Sequence, residues 1–595
     1  MTYIEKNKED AEIFGYMKEF KFLMKKMAHL EPVMFLLIAL YGLFVGIKPF
    51  LWIISPAYIL ENYQANPKVF PLFFIGLFFI SSLISFFDAF VMGNYRMRMN
   101  HVRYKLMNMI TEYSLYLPYA KKKEKTESEK ISDAMKAVES PWLGAGGIMM
   151  DLPNIFALII SVGGFLWIFM SMDLWVLATT IILTIISWLL LNQVPKSYDD
   201  YWEAMSPNWD KFAKLNNEMK SPLSKQDILI FDTVRIFKSY YGKTNKDRIK
   251  RLEGVNTKTL RIFTLANVFN LLRDGLIIYW LMTGLIAERM SISNFYVYFT
   301  AIFAFIAFNH QTMWVFSDIR RNFTMFKPFF KVTDIYKDEK EEVYPDQLEI
   351  VLDGVSFKYP GTDDYVLKDI DLKIVDSESI ALVGENGAGK STLALILAGL
   401  YEPTQGKILI NGEDINKSHI DYKKLISAVF QDSNLLPFSF KENILMSTKD
   451  KNLDDIYKMT HLDEIINKYE KKDDQTLLRI LDNDGVDLSG GQKQRLFLAR
   501  AIAKSKAKLL ILDEPTAQLD ALNERELYML YDDLTRDKSS IFISHRLAST
   551  KFCDRIIYLK DGNILANGTH DELMKTCEDY KDLYNLQAKN YKEVL

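Results

Sequence analysis

Along residues 30–320 the apolar residues come in long runs, not in periodic stripes. Six runs stand out, at about 33–58 ("VMFLLIALYGLFVGIKPFLWIISPAY"), 69–93, 147–172, 174–194, 264–287 and 296–317. A helix needs about 20 mostly apolar residues to cross the hydrocarbon core of a bilayer. Each run therefore predicts a membrane-spanning helix. A large soluble helical core is the competing reading, but its apolar runs would extend over only about 10–14 residues. The third and fourth runs are separated by little more than Asp173, which predicts a tight helical hairpin.

The connections alternate between short and long. Residues 59–68, Asp173 and 288–295 are short and nearly free of basic residues. Residues 94–146 and 195–263 are long and basic, with Arg96, Arg98, Arg103, Lys105 and the run "KKKEK" at Lys121–Lys125. The segment before the first run carries Lys18, Lys21, Lys25 and Lys26. Lys and Arg collect on the cytoplasmic side of a membrane. The N-terminus, both long connections and everything after the sixth run are expected inside. The long connections have helical texture, and each predicts two helices meeting at a tip, near "LPYAKKKEK" and "DILIFDTVRIF". The lysine run reads either as a solvated face or as a contact for anionic lipid headgroups.

From about residue 346 the texture changes to that of a soluble α/β domain, after a charged linker ending in "KDEKEEVYPDQ". The expected organisation is a membrane domain over 1–345 and a soluble domain over 346–595. The chain of 595 residues is 49% hydrophobic and 13% aromatic, with a formal net charge of -3. That balance gives no basis for a nucleic-acid partner. The two cysteines, Cys553 and Cys577, both lie in the soluble part and suit a reducing compartment. The first residues have no short apolar core followed by a small-residue cleavage site, so no secretory signal is read.

Within the soluble part, "LEIVLDGVSFKY" alternates like a half-buried strand. "SIALVG" is a short apolar strand that breaks at Gly384, and "STLALILAGL" continues as a helix. Strand, glycine loop and helix form the context that the pattern G-x-x-x-x-G-K-[ST] needs in order to hold phosphate. It is met by Gly384, Glu385, Asn386, Gly387, Ala388, Gly389, Lys390, Ser391 and Thr392. Such a loop turns backbone N–H groups inward as an anion nest, and the helix N-terminus adds partial positive charge. Lys390 is expected at the β- and γ-phosphates of ATP and Ser391 on Mg²⁺.

"KLLILDEP" predicts a buried strand ending in two carboxylates. Ligands bind at such strand ends in parallel sheets. Asp513 is placed to hold Mg²⁺ and Glu514 to orient or deprotonate the attacking water. A second apolar run, "SSIFISH", ends at His545, which is expected to contact the γ-phosphate.

These motifs resemble an ABC transporter of the exporter-type half-transporter kind, and the resemblance covers nearly the whole chain. It implies an α-helical six-span transmembrane domain plus an α/β P-loop NTPase domain, the ATP-binding cassette. By that resemblance Tyr359 of "FKYPG" stacks on adenine, and Gln431 of "AVFQD" senses Mg²⁺ and the membrane domain. Asp520 is the aspartate of the loop after the carboxylates, and His545 is the switch histidine. Leu488, Ser489, Gly490, Gly491 and Gln492 form the signature.

The signature raises a question of its own, since "DLSGGQKQRLFLARAI" is a second glycine turn opening a helix, hence a second anion cradle. The resemblance implies that two cassettes pair head to tail and that each signature closes over the partner's ATP. A second half-transporter is therefore an expected partner, as a homodimer, with an unlike partner as the alternative. Two departures from the family pattern bear on this. Asn483 and Asp484 stand where exporters usually carry a Glu-Arg pair, although Gly485 matches. The "AQLD" stretch has Ala517 where serine is usual.

The resemblance implies ATP-driven outward transport across a bacterial plasma membrane, with an importer on the same fold or a membrane-tethered ATPase sensor as the other readings. The stretch "FQDSNLLPFSFKENI" is similar to cassettes that export small modified peptides, with multidrug or lipid transport as alternatives. Membrane lipids and a transported substrate are the remaining expected partners. Asn309, His310 and Gln311 are candidates for a substrate chamber, against simple packing between helices. Asp88, Arg273 and Asp274 read as lying near cytoplasmic ends, where charge costs little.

Overall fold

In a computed structural model the structure describes residues 3–62, 70–332, 344–418, 421–449, 451–514, 538–544 and 553–592. The chain divides into two compact units. One comprises Met1–Tyr116 and Thr126–Ile335; the other comprises Leu117–Lys125 and Tyr336–Leu595.

The first unit is helical. Its helices are α1 (Tyr3–Leu30), α2 (Val33–Asn62), α3 (Phe70–Tyr116), α5 (Lys125–Glu139), α6 (Gly144–Phe169), α7 (Leu174–Leu191), α8 (Gln193–Lys220), α9 (Pro222–Ile230), α10 (Val234–Ile286) and α11 (Ile292–Phe326). A short helix, α4 (Tyr119–Lys123), lies in the other unit, between α3 and α5. Among the described residues, six helical segments are long and apolar enough to cross a membrane. They carry large apolar side chains such as Ile75, Phe78 and Phe79 exposed on the unit, as a lipid-facing surface requires.

The spans do not stop at the membrane. Helix α3 runs for 47 residues and α10 for 53. At about 1.5 Å per residue each far exceeds a hydrocarbon core of about 30 Å. Span and the arm beyond it are thus one continuous helix, and the chain turns at the two expected tips. The first turn falls at Pro118, which caps α4 with extended backbone. The second has Pro222 in the first turn of α9, where a missing N–H costs nothing.

Helix α6 packs against α2 and α11, and α7 against α10. Close approach is bought with small residues. A Cβ on Gly164 would lie 2.3 Å from the Phe50 ring, and one on Gly46 would lie 2.8 Å from Ile160. Arg273, read from the sequence as a charge near a cytoplasmic end, is buried within the helical unit. Its side chain is 2% exposed, bonds Asp274 at 2.9 Å and Thr184 at 3.0 Å, and lies over the Phe305 ring. The guanidinium is accommodated by partners on its own and the facing helix, since a buried unpaired charge would cost several kcal/mol.

The described residues of the second unit form two sheets. The strands are β1 (Ile350–Phe357), β2 (Leu367–Ile374), β3 (Ser379–Gly384), β4 (Gln405–Ile410), β5 (Glu413–Asp414), β6 (Ile426–Val429), β7 (Leu509–Asp513), β8 (Ser539–Ile543), β9 (Arg555–Lys560) and β10 (Asn563–Gly568). The smaller sheet is antiparallel, in order β2-β1-β4-β5. The larger runs β10-β9-β3-β8-β7-β6 and is parallel except for β10. Strands β7 and β8 are buried throughout, which is why their sequences are unbroken apolar or small runs and do not alternate.

Helix α12 (Lys390–Leu397) leaves β3 and buries Leu393, Ala394 and Ile396. A helical group follows β6: α13 (Phe440–Leu445), α14 (Asp454–Met459), α15 (Asp463–Ile466) and α16 (Gly490–Ala503). It packs through Phe440, Ile444, Leu462, Leu496 and Leu498 against Leu510 and Leu512 of β7. Helices α17 (His570–Thr576) and α18 (Glu578–Lys592) close the chain.

Candidate functional site

The C-terminal ends of β3 and β7 are neighbours across β8, so the loop after β3 and the carboxylates after β7 meet at one edge of the sheet. Gly384, Glu385, Asn386, Gly387, Gly389, Lys390, Ser391, Thr392, Gln431 and Glu514 line one open cleft of about 950 Å³, together with Val366, Leu583 and Leu586. The glycines are there for geometric reasons. Gly389 has φ +101°, and a Cβ on it would lie 2.7 Å from Leu367 Cδ2. Ala388 is buried beneath the loop.

Lys390 is 5% exposed, and its ammonium donates to the carbonyls of Gly384 and Glu385, both at 2.8 Å. Burial pushes the lysine below its ordinary range, while Glu514 and Asp513 pull it back up. Asp513 is pushed up to about 6, chiefly by burial, with the Ser391 hydroxyl opposing and the Glu514 charge reinforcing. One carboxylate oxygen of Asp513, Oδ1, is buried with no hydrogen-bond partner among the described residues. A buried orphan oxygen beside a serine hydroxyl fits a hard cation such as Mg²⁺. Among the described residues no group of three or more His, Cys, Asp or Glu could hold a metal alone.

Glu514 has φ +49°, a left-handed backbone that a glutamate adopts only when its surroundings impose it. Its N–H donates to the Ile543 carbonyl at 3.0 Å, which holds the turn, and Gln431 Nε2 donates to its Oε2 at 3.2 Å. The turn brings Glu514 into the cleft wall while Asp513 stays buried behind it. Tyr359 is half-buried, with its hydroxyl 2.9 Å from that of Thr392.

The signature sits elsewhere. None of Leu488–Gln492 lines the cleft. Ser489 caps α16: its Oγ accepts from the Gln492 N–H, and Gln492 Oε1 accepts from the Ser489 N–H. Leu488 is buried beneath this cap.

A family model described as ABC transporter matches residues 367–517. The subtilin transport ATP-binding protein SpaT of Bacillus subtilis is 27% identical over 97% of this chain and 96% of its own length. An ATP-dependent lipid A-core flippase of Sodalis glossinidius is 31% identical over 51% of this chain and 52% of its own length. The solved structure of a bacterial Atm1-family ABC exporter with ATP bound superposes with a TM-score of 0.78 at 18% identity, over 94% of this chain and 98% of that one. The cassette, matched over residues 367–517, is an ABC transporter domain. The chain is a multi-pass membrane protein whose cassette binds ATP and hydrolyses it to drive transport.

Several residues singled out from sequence fall outside the described residues, namely Asp520, His545 and Ala517. The same holds for the side chain of His310, although its backbone lies in α11. Asn309 is half-buried and Gln311 exposed. Asn483 and Asp484 form an exposed turn in which Lys471 approaches Asp484 at 3.6 Å and Asp482 at 3.9 Å. Sequence reasoning missed Val366, Leu583 and Leu586 as cleft wall. The tail "YKDLYNLQ" is visible as an amphipathic helix, but amphipathicity does not say which surface the apolar face covers.

One substitution tests the loop geometry directly. Gly389→Ala is expected to lower ATP affinity at least tenfold, since a left-handed non-glycine residue costs of order 1–3 kcal/mol before its clash with Leu367 is counted. Equilibrium binding of a fluorescent ATP analogue checks it, and wild-type affinity would refute the stated need for glycine.

Proposed function

We propose that this protein works as a dimer, most simply of two identical chains, and carries a small peptide outward from the cytoplasm of a bacterial cell. The observation behind the dimer is that the phosphate loop, Gln431 and Glu514 share a cleft from which the signature is missing. A second anion cradle that its own cleft does not use is accounted for if the partner's cleft uses it. In this reading Lys390 and the backbone of Gly384–Gly389 hold the phosphates, Thr392 lies beside them, and Tyr359 stacks on the base. Ser391, Asp513 and Gln431 would hold Mg²⁺, which neutralises charge building on the phosphate oxygens. Glu514 takes the proton of the attacking water, with Gln431 fixing its orientation, and His545 contacts the γ-phosphate. Ser489, Gly490 and Gly491 cap the ATP held by the other chain, Gln492 and Leu488 fix that turn, and Asp520 lies at the same joint.

The cytoplasmic side follows from the basic arms. The peptide reading is supported by a relative that spans nearly the whole chain, the subtilin transport protein, whereas the flippase aligns over about half. Inside-out vesicles containing the purified protein test it. ATP-dependent uptake of a labelled subtilin-type peptide, absent with Lys390→Ala, is the expected result. ATP-dependent movement of labelled lipid without peptide uptake would replace the peptide reading with a lipid one.

A further inference from the structure

The turn Leu117–Lys125 between α3 and α5 belongs to the same compact unit as the cassette strands. Ala120 packs against their core. Tyr119, one residue before it, presents an aromatic ring to Tyr401, with centroids 5.5 Å apart and planes at 85°. Tyr401 follows α12 and is 7% exposed. Its ring meets Tyr359 at 5.5 Å and 88°, and Phe357 at 5.2 Å. Phe357 closes the group on Tyr359 at 5.1 Å and 81°. Edge-to-face contacts at such distances are the favoured aromatic geometry.

Tyr359 is therefore fixed at two points. Its hydroxyl bonds Thr392 on the helix that carries the phosphate loop, and its ring packs against Phe357 and Tyr401 with the planes near perpendicular. The orientation of the ring face is set by that group, and Tyr119 braces the group from a turn joined at both ends to long arms of the membrane half. Phosphate contacts are the same for every nucleoside triphosphate. Discrimination between bases has to come from the ring, whose stacking area with a purine exceeds that with a pyrimidine.

We propose that Tyr119 and Tyr401 are positioning residues for nucleobase selectivity, holding Tyr359 so that the cassette prefers a purine triphosphate. The inference rests on the reading that Tyr359 stacks on the base. It makes base binding sensitive to the placement of the α3–α5 turn, and, by reciprocity of coupling, makes that placement sensitive to base binding.

The test is steady-state hydrolysis of ATP and CTP by the full-length protein in nanodiscs. Tyr119→Ala is expected to raise KM for ATP about fivefold, the value of roughly one lost edge contact, with kcat within about twofold. KM for CTP should barely move, so the ATP preference falls. Tyr119→Phe should retain wild-type preference, since the ring and not the hydroxyl makes the contact. Tyr401→Leu should act in the same direction, and adding Tyr119→Ala to it should cost nothing more, as residues acting through one network are not additive. Inhibition by inorganic tripolyphosphate serves as the folding control and should be unchanged in each variant. Tyr359→Ala separates the two levels of the argument. If it leaves the ATP preference intact, the stacking reading itself fails. If it abolishes the preference while Tyr119→Ala and Tyr401→Leu retain it, or if their loss is matched by lost tripolyphosphate inhibition, the positioning role is overturned.

Discussion

Glu514→Gln is expected to bind ATP as well as the wild type does and to turn it over about a thousandfold more slowly, the usual scale for losing a general base. The substitution keeps the length and shape of the side chain. The left-handed turn at φ +49° is held by the N–H of residue 514 to the Ile543 carbonyl, a backbone bond the amide does not disturb. In the proposed site the phosphate contacts run through Lys390 and the glycine loop, which lie on a different strand end. What disappears is the ability to accept a proton from water. Without hydrolysis the bound triphosphate continues to hold two cassettes together, so the variant should also accumulate as a closed dimer in ATP. Phosphate release measured beside nucleotide binding, with cross-linking across the cassettes, gives all three quantities. Turnover within a fewfold of wild type would remove Glu514 from the chemistry and leave its strained backbone without a function.

How far the sequence carried this picture depended on whether a feature is local. The membrane spans were legible because bilayer thickness imposes a length of apolar run that few other environments ask for. The phosphate loop was legible because Gly389 and its neighbours answer a backbone demand that only glycine meets. The acidic strand end was legible because a buried parallel strand reads as an unbroken apolar run, and two carboxylates directly after it stand out. The remainder lives in contacts between residues far apart in the chain. Arg273 reads as a charge near a helix end, and only packing shows that the Thr184 hydroxyl, on another helix, accepts a hydrogen bond from it. Tyr401 reads as one aromatic among many until Tyr119 is found against it. The left-handed φ of Glu514 has no sequence signature, because the residues that usually announce it are glycine and asparagine. Leu583 and Leu586 belong to the apolar face of a terminal helix, and nothing in that face distinguishes a core contact from the wall of a cleft.

The second large effect concerns the signature. Ser489→Arg is expected to leave ATP binding at Lys390 unchanged and to lower hydrolysis by about a hundredfold or more, the scale for losing a preorganised phosphate contact. In the single chain Ser489 and Gln492 satisfy each other as a capping box, outside the cleft that holds Lys390. Losing that cap costs about 0.5–2 kcal/mol, so Ser489→Ala is the control for local damage and should retain much more activity than the arginine. Mixed dimers then decide whose ATP the signature serves. Place Lys390→Ala in one chain and Ser489→Arg in the other. If the signature acts on the partner's nucleotide, both lesions fall in one composite site and the second site stays whole, giving up to about half of wild-type hydrolysis if the two sites fire independently. If it acts on its own chain's nucleotide, each site carries one lesion and hydrolysis falls to background. Placing both substitutions in one chain beside a wild-type partner reverses the expectation. Acting across the interface, the two lesions now spoil both sites; acting within the chain, they leave the partner whole. Hydrolysis that survives in the second arrangement and vanishes in the first would overturn the dimer reading, because the serine would then complete the site of its own chain.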